Sequence, residues 1–248
     1  MDRLRANLAR VAPGEELVQD AMRSYARYWC EAFRLPALDP GTLIAQTRTI
    51  NEHVLRDAVA SERGTILALP HSGNWDAAGA WCGLTGVPFT TVAERLKPES
   101  LYERFVAFRE SLGMEVLPLT GGERPPFDVL EERLLGGGTI CLLADRDLTP
   151  RGVDVTFFGT TARMPAGPAK LALTTGAHLI PTTLSFTDRG WEIEFHDQVA
   201  LTDVPTMTQA LAHCFEKGIA KHPADWHMLQ RLWLDDLAPD DPRKAPLS

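Results

Sequence analysis

His71 and Asp76 stand five positions apart in the segment Pro70-His71-Ser72-Gly73-Asn74-Trp75-Asp76. Their types and spacing suit them to move a proton. A carboxylate that accepts the Nδ1–H of an imidazole fixes the ring's tautomer, leaves Nε2 free as a base and stabilises the imidazolium that forms. That describes a general base for a hydroxyl group, and it calls for neither a serine nucleophile nor a metal. Each residue also has a simpler reading. Acids are favoured in the first turn of any helix, and a histidine at a strand end is often just hydrogen-bonded there.

The neighbouring pattern decides how these residues are presented. Thr65–Pro70 is a short apolar run that predicts a strand, followed by the turn residues Ser72, Gly73 and Asn74 and a small-residue helix over Trp75–Cys82. His71 then falls just beyond the carboxyl end of a strand, where open α/β sheets bind their ligands. Asn74 is a good N-cap and puts Asp76 in the first helical turn, so the chain reversal brings its carboxylate back toward His71. Strand-like segments at Val87–Ala93, Met114–Leu119 and Thr139–Ala144 alternate with helical ones at Glu99–Ser111 and Phe127–Leu135. This alternation predicts an α/β fold with a mainly parallel central sheet flanked by helices. Helices at Glu15–Arg34 and Leu43–Val59 make residues 1–60 an N-terminal helical layer. After Ala144 come a polar stretch, a strand over Val153–Phe158 and a helix opened by Gly167-Pro168 and stopped at Gly176. His178–Thr187 and Gly190–His196 read as a hairpin at the sheet edge. Met207–Lys221 and Asp225–Trp233 read as closing helices, ahead of a frayed tail at 235–248. The whole chain, 1–248, reads as one domain.

Composition excludes several classes. A chain that is 44% hydrophobic and 23% charged is neither disordered nor fibrous. A formal net charge of −8 opposes binding along a nucleic-acid backbone. No apolar run approaches the ~20 residues that span a bilayer, and Met1–Arg10 carries three arginines with no apolar stretch behind them, unlike a secretory signal. Cys30, Cys82, Cys141 and Cys214 lie far apart, as reduced thiols do. The other histidines (His53, His178, His196, His213, His222 and His227) show no ligand spacing, so they read as surface or core residues, and nothing implies a metal or a bound cofactor.

His71 and Asp76 fit the H-x4-D motif of glycerolipid and lysophospholipid acyltransferases. Val155-Thr156-Phe157-Phe158-Gly159, Ala166–Ala172 and Thr175-Gly176-Ala177 resemble the lipid A biosynthesis branch of that group. Within it, Ser24–Glu31, Ala144–Thr149 and His222-Pro223-Ala224-Asp225-Trp226 are most similar to the phosphatidylinositol mannoside acyltransferases of mycobacteria and their relatives. The likeness runs from about Leu4 to Trp233. It implies a glycerolipid acyltransferase-like fold and transfer of a long-chain acyl group from acyl-CoA, a co-substrate, to the 6-hydroxyl of a mannose on phosphatidylinositol mannoside. His71 would be the base and Asp76 its orienting acid, with direct attack on the thioester and no covalent intermediate. The resemblance also implies sequence ahead of the position of Met1, often a hydrophobic helix; this chain begins late by comparison.

By the same resemblance Glu94 and Arg109 match positions that line the acceptor and carbonyl region, although an exposed carboxylate and a helix-surface ion pair remain their alternatives. Where related acyltransferases carry an E-G-T-type block, this chain has Asp145-Arg146-Asp147. Asp145 would bind mannose or inositol hydroxyls and Arg146 the phosphodiester, with a structural ion pair as the other reading. Thr149, Arg151, Arg163 and Lys170 are candidates for the CoA phosphates. Tyr25, Trp29 and Phe33 form a helical stripe beside Arg23, Arg27 and Arg34. It suits either a core contact or a helix lying on anionic lipid, and so peripheral attachment at the cytoplasmic face of the cell membrane. Three rival readings stay open: another glycolipid or lysophospholipid as acceptor, an acyl-CoA thioesterase, and a non-catalytic lipid-binding protein.

Overall fold

The computed structural model describes residues 1–147 and 152–241. Its centre is a seven-stranded sheet in the order β1-β9-β8-β2-β5-β3-β4, built from β1 (Thr47–Ile50), β2 (Thr65–Leu69), β3 (Phe89–Ala93), β4 (Glu115–Pro118), β5 (Thr139–Leu143), β8 (His178–Phe186) and β9 (Trp191–Phe195). All neighbours run parallel except β8 and β9, which form an antiparallel pair. A separate hairpin joins β6 (Val153–Phe157) to β7 (Thr160–Met164).

Strand β2 shows why the sheet is covered on both sides. Successive side chains point to opposite faces, and all five of its residues are buried. Ile66 and Ala68 enter one core with α1 (Asp2–Val11), α7 (Pro126–Leu135), α8 (Gly167–Thr175), α9 (Val204–Lys221) and the β6–β7 hairpin. Leu67 and Leu69 enter the other, with α3 (Pro40–Gln46), α4 (Glu52–Ala60), α5 (Trp75–Leu84) and α6 (Glu99–Ser111). Each large apolar side chain so buried contributes about 1.5–3 kcal/mol. An uninterrupted apolar strand between two helical layers is what a parallel sheet demands.

The α/β class and the alternating central elements match the sequence reading. Four local expectations do not. Leu43–Val59 is not one helix: Thr47–Ile50, rich in β-branched residues, leaves it to pair with β9, and Asn51 turns the chain back at φ 55°. The β8–β9 hairpin is therefore covered by β1 and does not form the sheet edge. Val153–Phe158 is half of a hairpin whose second strand was not anticipated. Asp225–Trp233 is no helix; after a 3-10 turn at Pro223–Asp225 it runs extended and bridges Ser72 through Trp226 and Ala162 through Trp233. Gly176 does end α8, in the left-handed conformation at φ 72°.

Candidate functional site

Parallel neighbours β2 and β5 pair Leu69 with Leu143. Two residues beyond that pair, His71 and Asp145 leave the sheet side by side at its carboxyl edge. The His71 ring places Nδ1 2.5 Å from Asp145 Oδ1, and the His71 backbone N–H donates to Oδ2 at 3.0 Å. The indole N–H of Trp226 donates to the same Oδ2 at 2.9 Å. Asp145 is completely buried. Burial alone would raise its pKa, but the charge and hydrogen bonds of His71, with the bond from Trp226, hold the carboxyl below its ordinary value. An ionised carboxylate only accepts, so Nδ1 carries a ring proton that points at Asp145 and Nε2 is the nitrogen turned away from the carboxylate.

This corrects two expectations. The acid beside the His71 ring is Asp145, not Asp76, and Asp145 cannot serve as a surface contact for sugar hydroxyls because its oxygens are buried and occupied. Asp76 does sit in the first turn of α5, behind the Asn74 cap that accepts from Ala77 N–H at 3.0 Å. Its carboxylate, however, points to α6 and α2 (Val18–Arg34), accepting from Arg109 Nε at 2.8 Å and Tyr28 Oη at 2.8 Å. Burial, then the Asp76 charge and hydrogen bond, push the Tyr28 hydroxyl up, so it stays a donor. Burial acts to lower the Arg109 pKa, but Asp76 more than offsets it and the guanidinium stays charged. Asp76, with Arg109 and Tyr28, thus forms a buried bolt joining α5, α6 and α2.

The turn after β2 is held from outside by the segment that ends the 3-10 turn. Gly73 N–H donates to Asp225 O at 2.9 Å, and His227 N–H donates to His71 O at 2.7 Å. Asp225 accepts from Ser24 Oγ at 2.7 Å and from Phe186 N–H at 2.9 Å. Since Ser24 gives its single proton to Asp225, His227 Nε2, 3.0 Å from Ser24 Oγ, must be the donor there. Burial first, and the neighbouring His71 second, push the His227 pKa down to about 3, so this ring is neutral. Read from sequence as a plain surface or core residue, His227 lines the same cavity as His71. Its place immediately after the His222–Trp226 block was the available signal.

That cavity holds about 400 Å³, within the range of small-ligand sites. Its lining mixes aromatic side chains, among them Tyr25, Trp29, Trp75 and Phe105, with the polar His71, Glu94, Arg146 and Gln230. The structure therefore gathers His71, Glu94, Arg109 and Arg146 around one space, while Asp76 and Asp145 lie behind it. Glu94 is exposed at the end of β3. Arg146 keeps a buried Nε with no hydrogen-bond partner among the described residues. Arg109 and Trp75 also border a narrow slot of about 50 Å³ lined by Phe89, Met114 and Leu143. The stripe on α2 is split: Tyr25 and Trp29 line the cavity, whereas Phe33 is 70% exposed. Arg163 is buried and ion-paired to Asp154, and Lys170 is exposed on α8; Thr149 and Arg151 lie outside the described residues. Among the described residues no three His, Cys, Asp or Glu side chains come together as a metal site, and no helix is long and apolar enough to cross a membrane.

Comparison with known proteins places this geometry. The family described as bacterial lipid A biosynthesis acyltransferase matches residues 1–235. A phosphatidylinositol mannoside acyltransferase of Mycolicibacterium smegmatis is 56% identical over 254 residues, covering 99% of this chain and 83% of the relative. One of Mycobacterium tuberculosis (strain H37Rv) is 54% identical over 257 residues, covering 99% of this chain and 80% of the relative.

Proposed function

The chain belongs to the bacterial lipid A biosynthesis acyltransferase family and is an O-acyltransferase, and from that premise we propose that it acylates the 6-hydroxyl of a mannose on phosphatidylinositol mannoside, using acyl-CoA. The observation that carries this reading is the His71–Asp145 pair opening onto a cavity lined by both aromatic and polar side chains. The acceptor is taken from relatives more than half identical over nearly the full chain.

In this mechanism Nε2 of His71 takes the proton as the mannose oxygen attacks the thioester carbonyl carbon. The new C–O bond forms, the C–S bond breaks, and the CoA sulfur leaves with the proton returned from the imidazolium. Asp145 keeps Nδ1 protonated and balances the imidazolium charge. General-base assistance of this kind supplies roughly 10²–10⁴-fold; orienting an already activated thioester supplies much of the rest. Arg146, which lines the cavity, binds the acceptor's phosphodiester through its guanidinium, and Glu94 binds acceptor hydroxyls. The aromatic side chains of the cavity take apolar chain, and the exposed Phe33 faces lipid where the protein attaches peripherally to the cytoplasmic side of the membrane.

The test is purified protein with acyl-CoA and a panel of acceptors. The proposal expects rapid transfer to phosphatidylinositol mannosides and at least tenfold slower transfer to non-mannosylated lysolipids. Equal rates on both would overturn the acceptor, and free fatty acid formed independently of acceptor would make the protein a thioesterase.

A further inference from the structure

Asp145 accepts three N–H groups, two from His71 and one from Trp226 in the C-terminal segment. Trp226, wholly buried, delivers its indole N–H to Oδ2. We propose that Trp226 is a positioning residue for acyl transfer: it aims the Asp145 carboxylate at His71, as the central contact of a strap formed by Asp225, Trp226 and His227. The inference rests on the reaction proposed above and adds to it a part for the C-terminal segment.

The geometry supports an aiming role over plain core filling. A carboxylate can rotate about its χ2 bond, and its two contacts from His71, one at each oxygen, align it with that residue alone without anchoring the pair to a third element. Two donors at Oδ2 fix the plane: the His71 amide at 3.0 Å and the indole at 2.9 Å, leaving Oδ1 directed at Nδ1. Trp226 is itself fixed from both sides. Asp225 is tied to α2 through Ser24 and to the end of β8 through Phe186 N–H. His227 returns its own N–H to His71 O. The Trp226 ring packs edge-on against Phe157 and Trp233, so its N–H has one available direction. The base, its acid and the strap thus close on one another: His71 to Asp145, Asp145 to Trp226, and His227 back to His71.

The test is a KM-against-kcat split in the full chain combined with a double-mutant cycle. Trp226→Phe retains most of the ring volume and removes the N–H. Its kcat per folded molecule should fall about 10- to 100-fold, the weight of one hydrogen bond to a charge, with the KM values for acyl-CoA and acceptor held within about twofold. In an Asp145→Asn background the same change should cost less than about threefold, because no carboxylate remains to be aimed. Undiminished kcat in Trp226→Phe would overturn the inference, as would an equal fold-loss in both backgrounds, which marks mere packing. Should Trp226→Phe fail to fold, site-specific benzothienylalanine at position 226, with sulfur in place of N–H and the shape kept, takes its place under the same criteria. A wild type that transfers no acyl group overturns the reaction itself; an active wild type matched by an equally active position-226 variant overturns only the role of the strap.

Discussion

Asp145 meets His71 twice, at the ring through Oδ1 and at the backbone through Oδ2, so one buried carboxylate sets both the orientation of the imidazole and the course of the chain that bears it. The acid arrives from the next strand of the sheet, not from the following helix. The arrangement has consequences for each group around it.

Asp76 and Arg109 form a buried ion pair with Tyr28 as third member. Removing one partner of such a pair strands a charge and costs about 3–5 kcal/mol. Arg109→Leu should therefore lower the urea unfolding free energy by that amount, and Asp76→Leu/Arg109→Leu should cost at least about 1 kcal/mol less than the two single changes summed. An unchanged unfolding free energy in Arg109→Leu would remove the structural role given to this pair.

Gly73 adopts φ +55° two residues after His71, and a Cβ there would lie 2.9 Å from Leu184 C and 3.0 Å from Ser185 N, both backbone atoms. Neither the backbone conformation nor the neighbours can yield cheaply. Gly73→Ala should cost about 1–3 kcal/mol, and by moving the turn should lower kcat more than tenfold. Thermal melts beside steady-state rates check both. Wild-type activity in Gly73→Ala would show that the placement of His71 tolerates a shifted turn.

His227 gives a pH signature. Its folded pKa, pushed down to about 3, lies below the ordinary histidine value near 6.5. Between those values the unfolded chain binds a proton that the folded chain refuses. Stability therefore rises with pH across this window and is lost on acidification through it, by roughly 3–5 kcal/mol in all. In His227→Gln, whose amide can still donate to Ser24, the unfolding free energy measured from pH 7 to 4 should fall less steeply. Parallel curves for wild type and variant would contradict the buried neutral histidine.

How far the sequence alone carries can be read from these same residues. His71 was legible because a strand end, a glycine turn and an Asn cap are all local signals. Asp145 was legible as a residue at the same carboxyl edge of the sheet, expected there to bind sugar hydroxyls, but not as the partner of the His71 ring. That pairing depends on β5 lying beside β2, a contact across 74 positions that no local period encodes. Asp76 was misassigned for the complementary reason: five residues of separation suggested contact, whereas the first turn of α5 points its carboxylate into the interface with α6. Trp226 was hidden in a segment that reads as helical, because its backbone donors and acceptors are satisfied by Ser72, Gly73 and His71 across the sheet edge. The two-sided core, by contrast, was plain from the uninterrupted apolar run of β2.

The most direct test of the account is kcat for Asp145→Asn, normalised to folded protein and set beside wild type. An asparagine in this place turns an N–H toward Nδ1, moves the ring proton to Nε2 and leaves His71 unable to take a proton from an alcohol. The account predicts a loss of about 10³–10⁴-fold, as for an acid-to-amide change behind a catalytic imidazole, with substrate KM values little altered. Activity within tenfold of wild type would contradict the assignment of His71 and Asp145 as the working pair.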